Sequence, residues 1–185
     1  MFIITFVMSI IQFSPFVQSD VLSKKEIDAR AFYKQAYAAD KKDKFKQAFT
    51  QYKKAAELGH LEAIFSVGSM YENGIGVRQD STQAIFWYKK ATLKGYAKAQ
   101  YNLAVIYDYG RKGVKKNMTL ALRWYLKAAK QEHAAAQNSL GAIYNEGRGV
   151  VKDDKKAVEW YKKSAENGNV LAQDNLGIKY SRGEG

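Results

Sequence analysis

Residues 159–169 read EWYKKSAENGN, and nearly the same phrase stands at 86–96 as FWYKKATLKGY and at 123–133 as RWYLKAAKQEH. The three indoles, Trp87, Trp124 and Trp160, are separated by 37 and then 36 residues. Around them the pattern is Ala84-x-x-Trp87-Tyr88-x-x-Ala91, then Ala121-x-x-Trp124-Tyr125-x-x-Ala128, then Ala157-x-x-Trp160-Tyr161-x-x-Ser164. Offsets of i, i+3, i+4 and i+7 draw one stripe along a helix. Two bulky rings between two small residues form a knob with gaps on either side, suited to a neighbouring helix. Each indole is expected to bury about 200 Å², an upper-bound gain of about 5 kcal/mol.

A second phrase precedes each aromatic one. Ala63, Ala99, Ala136 and Ala172 are followed by Val67, Leu103, Leu140 and Leu176, then by Gly68, Ala104, Gly141 and Gly177, then by Tyr71, Tyr107, Tyr144 and Tyr180. These offsets are helical too. A glycine inside a helix costs about 1 kcal/mol relative to alanine, so its return at one site implies a neighbour too close for a Cβ.

Glycine-punctuated turns join the phrases: NGIGV at 73–77, YGRKGV at 109–114 and EGRGV at 146–150. Gly74, Gly110 and Gly147 are expected to end their helices in the left-handed conformation. Asp80, Asn117 and Asp153 stand where the N-cap of the following helix belongs. Gly59, Gly95 and Gly168 close that helix, with Glu132 in their place once. The glycine pair lacks the Walker spacing and its Lys-Ser/Thr, and no strand precedes it, so it reads as a helix-joining turn and not a phosphate loop.

The unit is therefore helix–turn–helix, and one pair alone cannot bury its stripe, so stacking is the folding mechanism. The expected fold is all-α, a solenoid of units about 36 residues long. Residues 20–58 are expected to hold a divergent first pair, in which Ala48, Tyr52 and Ala55 keep register while Gln51 stands for Trp. Residues 59–185 carry three full units and a partial last one. Leu171, Leu176 and Ile178 in that last unit are apolar, as if a further helix followed, which favours a longer array.

Two stretches carry a family resemblance: AKAQYNLAVIYDYG with GVKKNMTLALRWYLKAAKQEH, and AAAQNSLGAIYNEGRGVVKDDKKAVEWYKKSAENGN. They resemble Sel1-like repeats, relatives of the tetratricopeptide repeat, over roughly residues 60–185, with a tetratricopeptide-like pair before them. The resemblance implies a right-handed α-solenoid acting as a protein–protein adaptor, often exported in bacteria. Some relatives carry paired cysteines in each repeat; this chain has none. By tetratricopeptide geometry, first helices line the concave surface. Partner-binding candidates are then first-helix positions off the packing stripe. Phe65, Tyr101, Asn138 and Asp174 make one row, and Ser66, Asn102, Ser139 and Asn175 make the next, where an amide could hold a peptide backbone. Asn73 and Tyr109 flank the turn.

Composition bounds the rest. Having no Cys excludes disulfides and thiolate chemistry. The two histidines, His60 and His133, occupy equivalent unit ends and read as opening-turn residues. Asp153-Asp154 reads as a helix cap. No nucleophile elbow, HExxH or calcium loop occurs, so the chain reads as a non-enzyme with no cofactor, no metal and no small-molecule substrate. Residues 1–19 are uncharged, with an apolar run at 2–11 and Pro15 beyond it, and read as a cleaved export signal. Secretion or a periplasmic location is expected, the alternative being an uncleaved membrane anchor. Thirty basic against 18 acidic residues leave a net charge of +12, so an anionic polymer or membrane is the alternative partner to a protein or peptide.

Overall fold

The computed structural model describes residues 22–184. The expected leader, residues 1–19, lies outside them. Among the described residues there are nine helices and no strand: α1 (Lys24–Asp40), α2 (Phe45–Glu57), α3 (Leu61–Asn73), α4 (Ser81–Leu93), α5 (Ala97–Tyr109), α6 (Met118–Ala129), α7 (Ala134–Glu146), α8 (Asp154–Glu166) and α9 (Val170–Ser181). The principal packing is between helices consecutive in the chain, first within each pair and then from pair to pair. The molecule is thus a helical-repeat stack without a central core.

Local chemistry starts and stops these helices. The Asp80 carboxylate accepts from the Thr82 and Gln83 amides at 2.9 and 3.0 Å. Asn117 accepts from Leu120 at 3.0 Å and Asp153 from Lys156 at 2.9 Å, so all three expected caps hold the orphan amides of a first turn. Gly74 and Gly147 end α3 and α7 in the left-handed region, at φ 70°. Gly110 departs from that expectation. Its φ is 71° but its ψ is 171°, because the longer turn at 109–114 leaves the helix in a different direction.

The buried stripe follows the repeat. Ala84, Ala91, Ala121, Ala128 and Ala157 are fully buried, as are Val67, Leu103 and Leu140. The ranking of the two rings differs from the expectation. Tyr88, Tyr125 and Tyr161 are 0–3% exposed, while Trp124 and Trp160 are only half-buried and Trp87 alone among the indoles is deep. The phenol, one residue further along the helix, points at the paired first helix; the indole lies at the margin.

The helix glycines explain this. A Cβ on Gly68 would lie 2.7 Å from the Tyr88 ring, and one on Gly141 would lie 2.5 Å from the Tyr161 ring. The neighbour too close for a side chain is therefore the tyrosine of the same pair. A Cβ on Gly177 meets nothing within 4 Å, since no second helix covers α9 among the described residues. Gly141→Ala should lower stability by about 1 kcal/mol, as overpacking of roughly 1–3 kcal/mol outweighs a helix-propensity gain of about 1 kcal/mol. Gly177→Ala has only the gain and should leave thermal unfolding unchanged or raised. Equal melting losses for the two variants, followed by circular dichroism, would contradict the ring-in-notch packing.

Candidate functional site

The buried face of each first helix is committed to packing, which leaves the remaining stripe as the part of that helix open to a partner. On α3 this stripe runs Glu62, Ser66, Ser69, Asn73; on α5 it runs Lys98, Asn102, Val105, Tyr109; on α7 it runs Ala135, Ser139, Ala142, Glu146. Steps of three and four residues keep each set on one helix face.

Many of the candidate residues bind one another. The Asn102 amide donates to the Tyr88 hydroxyl at 2.9 Å, reaching back to the preceding pair. Asn175 donates to Asn138 at 3.1 Å. Phe65 is half-buried against Tyr88 and Tyr96, with ring centroids 5.6 and 5.3 Å away. Tyr101 is half-buried between Tyr125 at 5.9 Å and His133 at 4.9 Å. Ser66 and Ser139 are half-buried beside them. Asp174, the last member of the Phe65 row, is exposed on α9. Asn73 is exposed and donates to the Ser69 carbonyl at 2.9 Å. Tyr109 is 65% exposed, the most open aromatic on the stripe.

The tyrosine hydroxyls generate a second layer. A phenol sunk this far needs a partner for its polar end. Tyr88 donates to Glu72 at 2.7 Å and Tyr125 to Asp108 at 3.3 Å. Burial first, and the adjacent carboxylate second, push both phenols well above the usual tyrosine range. Burial likewise pushes Tyr52 up to about 12. Asp108 is itself fully buried, and its charge is met by Arg148 at 2.7 and 2.9 Å. Arg148 belongs to the turn of the next unit, where Glu146 lies 2.8 Å from its Nε. No local sequence signal announces this pair, because its members are 40 residues apart.

One lysine in each Trp-bearing helix also has a partner. Lys90 lies over the Trp87 ring at 4.5 Å, Lys127 over Trp124 at 4.6 Å and Lys163 over Trp160 at 4.9 Å. One lysine on each of α4, α6 and α8 therefore covers its indole by a cation–π contact of about 0.5–1 kcal/mol. His60 and His133 take the N-cap positions of α3 and α7. The His133 Nδ1 accepts the Ala136 amide at 3.3 Å. Among the described residues no cluster of three or more His, Asp or Glu has the arrangement of a metal site.

Comparison with known proteins fits this geometry. The Sel1 repeat matches residues 41–60, 61–96, 97–133 and 134–169. The chain belongs to the Sel1-repeat family. Proteins of this family are in general protein-interaction scaffolds. A solved Sel1 repeat protein from Oxalobacter formigenes is 32% identical, with a TM-score of 0.79, and the match covers 88% of this chain and 68% of that one. A protective antigen present in uropathogenic Escherichia coli strains is 42% identical, with a TM-score of 0.78, over 84% of this chain and 34% of that one. A chitin synthase regulator of Saccharomyces cerevisiae is 32% identical over 37% of this chain. The chain spans about a tenth of the length of the curated relatives it matches.

Two outcomes check the internal network of this Sel1 array. Arg148→Met should cost about 3 kcal/mol in denaturant unfolding, since it strands a buried carboxylate, and adding Asp108→Asn should recover most of that. Additive losses would mean that the pair is not coupled. The second concerns pH. Burial, and then Lys98, hold His133 below its usual value. A lowered folded-state value means that stability is complete above the unfolded pKa of about 6.5 and is lost as pH falls through the folded value. His133→Asn keeps a capping acceptor, as Asn169 does for Ala172 at 3.1 Å. Its melting temperature should fall less than that of the native chain between neutral and mildly acidic pH; parallel slopes would exclude the histidine as the cause.

Proposed function

We propose that the chain is an exported adaptor that holds a protein or peptide partner across the stripe of its first helices. The observation that carries this reading is the division of labour along that stripe. The buried face repeats the same small and large residues in every unit, whereas the outward ends differ, with Asn73, Tyr109 and Glu146 at equivalent sites. A repeated core with a varied outer row is what a scaffold needs to recognise one partner along several units. The amide bridges of Asn102 and Asn175 stiffen the surface between units, which lowers the ordering cost of binding.

The relatives support the reading at a coarser level. The similar proteins include a chitin synthase regulator and a protective antigen, descriptions that suit an adaptor and an exported protein respectively. The uncharged, apolar opening of the chain suits export as well. The Tyr101, Phe65 and Asn102 side chains serve this function chiefly by shaping the surface, and Tyr109 by direct contact.

Affinity capture from native envelope or host extract, comparing the intact chain with Tyr109→Ala, tests the adaptor role. A tyrosine at a central contact is expected to cost about 2 kcal/mol, or roughly 30-fold in affinity. The fold should be untouched because the ring is exposed. Capture that survives Tyr109→Ala and Asn73→Ala together would overturn the first-helix stripe as the docking surface. Mass spectrometry of the mature protein tests export: an amino terminus near Asp20 is expected, and one at Met1 would defeat cleavage.

A further inference from the structure

The repeat period breaks once, and the break is charged. Between their two glycines, the turns at 73–77 and 146–150 hold one residue, whereas the turn at 109–114 holds two, Arg111 and Lys112. The additional residue lets the backbone close on itself. Arg111 donates to the Val114 carbonyl at 3.0 Å, and Val114 donates to the Arg111 carbonyl at 2.7 Å. Lys112 and Gly113 form the tip of this small hairpin, with Gly113 at φ 82°. The hairpin stands at the rim of an open cleft of about 900 Å³, whose other walls carry Lys53 of α2, Arg78 of the α3–α4 turn and the ring of Tyr71.

The walls are held firmly. Gln79 donates to the Glu72 carbonyl at 2.7 Å and the Asp80 amide to the Tyr71 carbonyl at 2.9 Å. Gly76 presses so closely on the Phe45 carbonyl that no Cβ fits there. Residues from three successive units therefore line one preformed space.

Their charges are uncompensated. Among the described residues, none of Lys53, Arg78, Arg111 and Lys112 has a carboxylate within ion-pair distance. Asp80 is the one acid at the cleft, and its Oδ1 is occupied by two backbone amides. The contrast with Arg148 in the corresponding turn of the next unit is direct, because that guanidinium is met by Asp108 and Glu146. Four cations lining one cleft concentrate anions from solution. Two guanidinium forks and two ammonium groups suit the oxygens of phosphate, the forks binding two at a time.

We infer that this cleft binds a ligand carrying phosphate groups in series, either as a free polyphosphorylated molecule or as lipid headgroups at a surface. The ligand is held by side chains and not by a glycine cradle, and the site is separate from the first-helix stripe, so either can fail alone. The test uses the full chain and two double variants of equal charge. Arg78→Gln with Arg111→Gln removes cations from the cleft. Lys130→Gln with Lys155→Gln removes exposed lysines that do not line it. Titration calorimetry with tripolyphosphate should show the cleft variant about tenfold weaker and the control within about twofold, as expected for lost charge-assisted bonds. Co-sedimentation with vesicles of phosphatidylglycerol and phosphatidylcholine separates the two sources. Loss in the calorimetric arm assigns the site to a soluble ligand, and loss in the vesicle arm alone assigns it to headgroups. Equal losses for both variants would show diffuse attraction by net charge and overturn the site. So would binding that is unchanged in both arms, or binding of a polyglutamate peptide as tight as that of tripolyphosphate.

Discussion

A phenol ring lying in the space of a missing side chain sets the distance between the two helices of a pair. Gly68 and Gly141 have no Cβ because Tyr88 and Tyr161 occupy its place. That depth has consequences of its own. A ring pushed so far in carries its hydroxyl to a point where water is scarce, and leaving it unpaired there costs roughly 1–3 kcal/mol. Glu72 and Asp108 answer that need on the first helices. Asp108, fully buried, then requires a cation, which Arg148 supplies from the next turn. In the α5–α6 pair, where Ala104 stands at the glycine position, a ring, an acid and a guanidinium thus lead from one unit to its neighbour. Asn102, donating back to Tyr88, ties the preceding interface by a shorter route. Coupling between neighbours is what makes a stack of individually unstable pairs fold as one array.

Most of the architecture was legible in the sequence because its signals are local. The alternation of large and small residues at helical offsets, the aspartates and asparagine before each second helix and the glycines after it all act within one turn of their own position. The order of burial between Trp and Tyr was not legible. The two are adjacent, both belong on an apolar face, and a rotation of about 100° between neighbouring residues decides which one meets the notch. Gly110 shows the same limit, since one inserted residue redirects a turn that looks like its homologues.

The candidate surface was legible only in outline. Asn102 and Asn138 have the chemistry of ligand-holding amides, yet the residues that use that chemistry here are Tyr88 and Asn175, 14 and 37 positions away. Side chains that look free along a single helix are claimed by the next pair once units stack. What remains exposed is smaller and more specific than the row read from the sequence: Tyr109 with the ends of the first helices on one side, and the hairpin at 111–114 on another.

The net charge of +12 is likewise not one property. Taken as a sum, it describes a protein that clings weakly to any anionic surface. Taken residue by residue, the charge divides. Lys90, Lys127 and Lys163 each rest on an indole three residues earlier, and the ring face offsets part of their positive potential. Lys179 is buried between Asp154 and Glu184, at 2.6 and 2.7 Å, and Arg148 is held by two acids. The cations lining the cleft beside the hairpin at 111–114 have no such company. A periodic protein spreads its ordinary charges periodically, so a cluster at the one place where the period breaks asks for a cause outside the fold.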